Sequence, residues 1–300
     1  SLDEEERKLV AMGVRPDQLA WLRWAIVNLS GGSLELFHQE YPATPSEAFL
    51  ASGRLCFAGL DAIVTRDPIR VGNIEGEPYR GGAKLRFVNH PQGNLKLFAL
   101  PQKDREYIVF VDPMGEPRDE MYEARRERDK QDYACIQVVD AESACQVACW
   151  HGRIDEAGLA KEAARIGYLY GGALLAVERG GGYGTLCAHL LSVEMAYPRL
   201  YREEAYGKAG RRPSTSFGWR TSETSRPVMI AALRDLLIER PQDAVPDEST
   251  LGELRSFVVL NGKPQAALGC HDDRVMALAG ALAVRMRGDS LVRLGPAKKR

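Results

Sequence analysis

The chain changes its hydrophobic period partway along. Residues 2–29 carry helical spacing: "LDEEERKLVAMG" has acids in its first turn and Gly13 to end it, and "PDQLAWLRWAIVNL" starts on Pro16 and Asp17. A proline-punctuated connector, "EYPATPSEAFLASG", follows, and residues 66–83 read as a Gly-, Pro- and charge-rich loop or irregular strand. From about residue 84 the period shortens to two. "KLRFVNHPQGNLKLFAL" alternates around Pro-Gln-Gly and predicts a hairpin. "EYIVFVDP" is a continuous apolar run ending in an acid, the pattern of a buried central strand. "DYACIQVVDAESACQVACWH" predicts two more strands with a turn at Asp140–Ser143, and "IDEAGLAKEAARIGYLYG" a helix with an acidic start and a glycine end. "GALLAVERGGGYG" is a short buried strand, again closed by an acid. "YGTLCAHLLSVEM" and "SRPVMIAALRDLLIER" predict helices on either side of a strand, basic loop and return in "PRLYREEAYGKAGRRPSTSFGW". "DESTLGELRSFVVLNGKPQAALG" predicts a helical turn and a strand with a Gly-Lys-Pro turn, and "DDRVMALAGALAVRMR" the last long helix. This order predicts an α/β fold, a mixed sheet flanked by helices.

Composition narrows the class. With 300 residues, 45% apolar and 27% charged, the chain has the make-up of a globular protein with a sizeable core. No apolar run approaches the roughly 18 residues of a membrane span, so no membrane partner is expected. The six cysteines are scattered, which predicts reduced thiols and a cytoplasmic location. The formal net charge of −1 neither demands nor excludes nucleic acid, since local patches decide. A chain opening on Ser1 is expected to be a piece of a longer protein.

The candidate chemistry lies in acids at element ends. Asp112 closes "YIVFVDP", Glu178 closes "LLAVERG", and Asp272 and Asp273 open the final helix. Ligand sites of open α/β sheets form at the carboxyl ends of strands. Acids gathered there repel and need a countercharge, which Mg²⁺ or Mn²⁺ supplies through oxygen ligands. Each acid has a plainer reading: Asp-Pro is a common turn, Glu178–Arg179 a strand-end ion pair, and Asp272–Asp273 a helix cap. At 100° per residue, Asp272 lines up with Val275, Met276, Ala279 and Ala283, the apolar face, which favours it as the ligand; Asp273 stays close enough to share the role. Asp132, before "YACIQVV", is a fourth candidate, returned toward Asp112 by strand pairing.

Four further features carry weaker signals. Lys208, Arg211, Arg212 and Arg220 near Tyr206, Phe217 and Trp219 suit a basic hairpin on phosphates, or a solvated loop. Cys145, Cys149 and His151 lack the second ligand pair of a zinc site and fit a strand. Gly180–Gly184 reads as a tight turn that keeps Glu178 open. His271 is a helix-start histidine or a group behind the ligands.

"YPATPSEAFLASG", "YIVFVDP", "DYACIQVVD", "LLAVERGGGYG", "FGWRTSETSRPVMI" and "GCHDDRVMALAGALA" together resemble the C-terminal nuclease domain of the large terminase subunit of tailed bacteriophages. The resemblance runs from about residue 40 to about 286. It implies a ribonuclease H-like fold over residues 56–287, a helical linker from an N-terminal ATPase over residues 1–55, and a basic tail over residues 288–300. It also implies a metal-dependent endodeoxyribonuclease that cuts concatemeric genome DNA. The implied ligands of two Mg²⁺ or Mn²⁺ ions are Asp112, Glu178, the Asp272–Asp273 pair and Asp132. The implied partners are double-stranded DNA, the terminase small subunit, the portal protein and the parent ATPase domain, in the cytoplasm of an infected or lysogenic host. The chain departs from the family in having Gly180–Gly182 where asparagines are common, and in the longer stretch "EPRDEMYEARRERD". It has no G-x-x-x-x-G-K-[ST] phosphate loop of its own. Two alternatives remain: a junction resolvase or transposase-like nuclease of the same fold, and a non-catalytic module docking a packaging motor to DNA or portal.

Overall fold

The computed structural model describes residues 4–11, 13–29, 31, 37, 54–78, 84–113, 133–205, 214–260, 262–267 and 269–288. They fall into two compact units. The smaller takes its described residues from 1–56 and 256–267, and the larger from 57–255 and 268–300.

In the smaller unit, helices α1 (Glu4–Ala11) and α2 (Pro16–Leu29) are joined by a two-pronged pair, Arg23 Nε and Nη2 donating to Glu6 Oε1 and Oε2 at 2.5 and 2.7 Å. Strand β1 (Arg54–Leu55) is the edge of a three-stranded antiparallel sheet completed by two late strands, Phe257–Leu260 and Lys263–Ala266.

The larger unit is built on a seven-stranded sheet. Its strands are β2 (Arg70–Glu75), β3 (Arg86–Asn89), β4 (Leu95–Leu97), β5 (Tyr107–Asp112), β6 (Ala134–Asp140), β7 (Gln146–Gly152) and β8 (Leu174–Val177), in the spatial order β3-β2-β4-β7-β6-β5-β8. Every pairing is antiparallel except β5 with β8. The parallel pair needs a crossover, and helix α3 (Glu156–Leu169) supplies it between β7 and β8. Asp155 caps α3 by accepting from the Gly158 amide at 2.7 Å.

The predicted hairpin over residues 84–100 is not formed. Strands β3 and β4 both exist, but β2 lies between them, so that Gly72 is opposite Asn89 on one side and Leu95 on the other. The segment read as loop or irregular strand is thus an inner strand. Its alternation, Val71 and Asn73 against Gly72 and Ile74, was hidden by flanking charge and by Gly72, whose missing side chain admits the Val88 carbonyl.

Alternation along β5 sorts its side chains between two layers. Tyr107, Val109 and Val111 join the core with Leu159, Ala160 and Ala163 of α3. The other face, Ile108, Phe110 and Asp112, lies under the last helix, Asp273–Gly288. Gly280 of that helix sits over the Phe110 ring, where an added Cβ would come within 2.3 Å. Close helix–sheet contact at this point explains a glycine inside a long helix. No described helix is long and apolar enough to cross a membrane.

Candidate metal centre

The acidic site forms where β5 and β8 end side by side. Val111 and Val177 are paired neighbours, and the Glu178 amide donates to the Val111 carbonyl at 2.9 Å. Asp112 and Glu178 therefore leave adjacent strands at one level and on one face. Behind them, helix α4 (Gly181–His189) begins within three residues. Gly184 of α4 lets it pack on the Glu178 carbonyl; a Cβ there would lie 1.9 Å from that oxygen. Glu178 also makes an isolated parallel bridge to Trp219, which follows the two-stranded hairpin of β9 (Arg202–Ala205) and β10 (Ser214–Phe217).

Asp112 and Thr221 lie close enough to the Glu178 carboxyl to act on it. Burial holds the Glu178 carboxyl above its usual range and the Asp272 charge adds to this, while Thr221, Arg226 and the contact with Asp112 pull it back. Arg226, in the first turn of α5 (Ser225–Glu239), donates to Asp272 Oδ2 at 3.4 Å. Arg226 thus pairs with Asp272 at the start of the last helix, designated α7 below, and the charges of both act on Glu178.

The neighbouring aspartates diverge. The Asp272 carbonyl accepts from the Met276 amide at 2.8 Å, so its backbone starts α7, while its side chain lies toward Arg226. Asp273 is the more buried of the two, at 9% exposure, although the helical wheel puts Asp272 on the apolar face. Its Oδ2 stands 3.8 Å from both His151 Nε2 and His271 Nδ1. Tyr133 stacks on His151 with ring centres 4.6 Å apart and meets His271 edge-on. Burial, with Arg274 and His271 adding to it, pushes His151 down to about 3, so this histidine is neutral.

Glu253 of α6 (Glu248–Arg255) caps α7 from outside it: its Oε2 accepts from the amides of Arg274 at 2.8 Å and Val275 at 3.3 Å. Glu253 Oε1 also pairs with the Arg274 guanidinium. Sequence reading missed Arg226, Thr221 and Glu253. Only Glu253 leaves a trace there, as a charge beside Thr250, Leu251 and Leu254 on the buried stripe of a short helix.

Of the remaining candidates, Arg220 is exposed beside the hairpin base, its amide donating to Glu203 Oε2 at 3.2 Å. Lys208, Arg211, Arg212 and Asp132 lie outside the described residues. Cys149 and His151 sit within β7, with Cys145 just before it. Among the described residues, no set of three or more His, Cys, Asp or Glu side chains stands in metal-holding geometry. The donor set still fits a hard divalent cation. It is all carboxylate oxygen, and Arg226, paired with Asp272, stands beside it as a countercharge that a cation would replace.

No family model matches the chain, and no curated protein matches it by sequence. Solved structures do. The large terminase nuclease from thermophilic phage G20c is 17% identical over 76% of this chain and 97% of that one, with a TM-score of 0.50. The same nuclease with bound cobalt is 16% identical over 77% of this chain and 97% of that one, also with a TM-score of 0.50. This chain, with its mixed sheet flanked by helices, thus has the fold of these large terminase nucleases.

Proposed function

We propose that the chain is a metal-dependent endodeoxyribonuclease, the nuclease part of a viral DNA-packaging terminase that cuts concatemeric genomes into unit lengths. The observation that carries the reading is that Asp112 and Glu178 stand side by side at the carboxyl ends of β5 and β8 on this fold, with Asp272 near enough for its charge to act on Glu178. The cobalt-bound relative supports a divalent cation as the missing countercharge.

Asp112, Glu178 and Asp272 would hold the metal, two Mg²⁺ or Mn²⁺ ions in this reading. Bound ions supply Lewis acidity at the phosphate and lower the pKa of the attacking water. The protein's own part is positional and electrostatic. Asp112, fixed at its strand end, presents its carboxylate from the middle of the site. Arg226 pairs with Asp272 and would become available to a phosphate oxygen once a cation took over that charge. Asp273 faces His151 and His271 and acts behind the site, holding the edge nearest Tyr133. Arg220, with Lys208, Arg211 and Arg212, tracks the DNA backbone, which makes binding fall steeply with salt.

Supercoiled plasmid incubated with Mn²⁺, with Mg²⁺ or with a chelator tests the reading. Nicked and linear products with metal, and none with chelator, are expected. A purified, folded domain that leaves the plasmid intact at every Mn²⁺ concentration overturns it in favour of a docking module.

A further inference from the structure

We propose that Glu253 is a positioning residue for the acidic site: from α6 it caps α7 in trans, and so releases the Asp272 side chain toward Asp112 and Glu178. This rests on the nuclease reading above and assigns a role within it.

A helix start leaves its first amides without partners, and the aspartate at its first position ordinarily supplies the acceptor. Here Asp272 occupies that position by its backbone, since its carbonyl receives the Met276 amide. An Asp272 carboxylate that capped would fold back over the amides of the first turn, away from the sheet. Glu253 removes that competition by taking the Arg274 and Val275 amides itself. The cap is rigid because Glu253 is only 8% exposed and is also tied to the Arg274 guanidinium.

The anchoring extends into the sheet. The Arg274 carbonyl accepts from Gln137 Nε2 of β6 at 3.3 Å. Gln137 in turn bonds Thr250 of α6 and receives Gln146 Nε2 of β7 at 2.8 Å. Asp247 closes the ring: its Oδ2 accepts from the Thr250 amide and hydroxyl at 3.1 and 2.8 Å. The first turn of α7 is thus fastened on its amide side by Glu253 and on its carbonyl side by Gln137. Both fasteners lie on the same turn as the Asp272–Asp273 pair.

The test is Mn²⁺ affinity by titration calorimetry, with a thermal melt and plasmid nicking on each protein. Glu253→Ala should bind Mn²⁺ about ten-fold more weakly than wild type, the usual scale for a residue that orients a metal ligand, and nick more slowly. Glu253→Gln, which keeps an acceptor oxygen, should recover affinity to within about three-fold. Tyr170→Phe serves as a stability control, because it loses its hydroxyl bond to the Ala99 carbonyl far from the site. It should melt earlier and bind Mn²⁺ as wild type does. If Glu253→Ala does not fold, Glu253→Asp, which draws the carboxylate back by one methylene, takes its place with the same expectation. Wild-type affinity in the folded Ala or Asp variant, or an equal loss in Tyr170→Phe, overturns the role of Glu253. Absence of Mn²⁺ binding and nicking in the wild type overturns the nuclease reading itself.

Discussion

The two ends of one strand pair treat their carboxylates in opposite ways. Strands β5 and β6 run in register from Tyr107 opposite Asp140 to Asp112 opposite Cys135. At the first end, Asp140 is surrounded by donors: Arg105 Nη1 at 2.7 Å, the Glu142 amide at 3.0 Å and the Ser143 amide at 2.8 Å. Burial pushes its carboxyl up, but the Ser143 amide and Arg105 outweigh this and hold it below the usual range. At the other end, burial holds Glu178 above its usual range and the charge of Asp272 adds to this. A carboxylate that gains donors on folding stabilises the fold. Carboxylates brought together cost stability, and that cost points to a task other than holding the chain together.

The largest expected effect breaks the comparison at the acidic end. Asp112→Asn should lower Mn²⁺-dependent nicking by on the order of 10³-fold or more, since it takes a ligand from the centre of the site. It should leave stability unchanged or raise it by about 1 kcal/mol, because it removes one of the crowded charges. Undiminished nicking by a folded Asp112→Asn protein would falsify the assignment of Asp112.

Asp140→Ala should do the reverse. It leaves the Glu142 and Ser143 amides and Arg105 without their acceptor, which costs roughly 1–3 kcal/mol. Urea unfolding measures this loss, while nicking well below the melting point stays at the wild-type rate. A drop in nicking without a loss of stability would show that the two ends are coupled.

Acid titration sharpens the same contrast. The folded-state pKa of Asp140 lies below its unfolded value of about 3.9. Its contribution is therefore fully present above the unfolded value and disappears as pH falls through the folded one. The stability gap between wild type and Asp140→Ala should be constant from pH 7 to about pH 5 and should close on further acidification. A gap that stays constant below pH 3 would mean that Asp140 acts through packing rather than charge.

Much of this contrast could be read from the chain itself, because the relevant signals are local. A five-residue apolar run before Asp112, a similar run before Glu178 and a helical period after Asp272 each mark an element and its end. The turn at Asp140–Ser143 was equally plain. What escaped was set by contacts between distant segments. Nothing in "IRVGNIEGE" announces that β2 is an inner strand, because its place depends on Gly72 meeting the backbone of β3. The helical wheel of α7 gave Asp272 the buried face without knowing that α6 would approach from the Asp273 side. The identity of the cap was hidden for the same reason: Glu253 is about twenty residues away and on another helix. Arg226 looked like an ordinary first-turn residue of α5, and only the fold sets it beside Asp272.

Arg226 supports the smallest of the expected effects and the most discriminating one. Its pair with Asp272 spans 3.4 Å, and both side chains are about one-third exposed, at 34% and 31%, so water screens the interaction. Such a pair contributes only about 0.2–1 kcal/mol. If Arg226 serves as the internal countercharge that a cation displaces, Arg226→Gln removes a competitor, and Mn²⁺ should bind a few-fold more tightly, by roughly the same 0.2–1 kcal/mol. Binding to a short duplex should weaken in the same variant, because a guanidinium that turns to a phosphate is lost. Calorimetry reads the first effect and fluorescence anisotropy the second. Opposite signs in the two measurements separate a displaceable countercharge from a residue that merely holds Asp272 in place, since loss of a holder would weaken both.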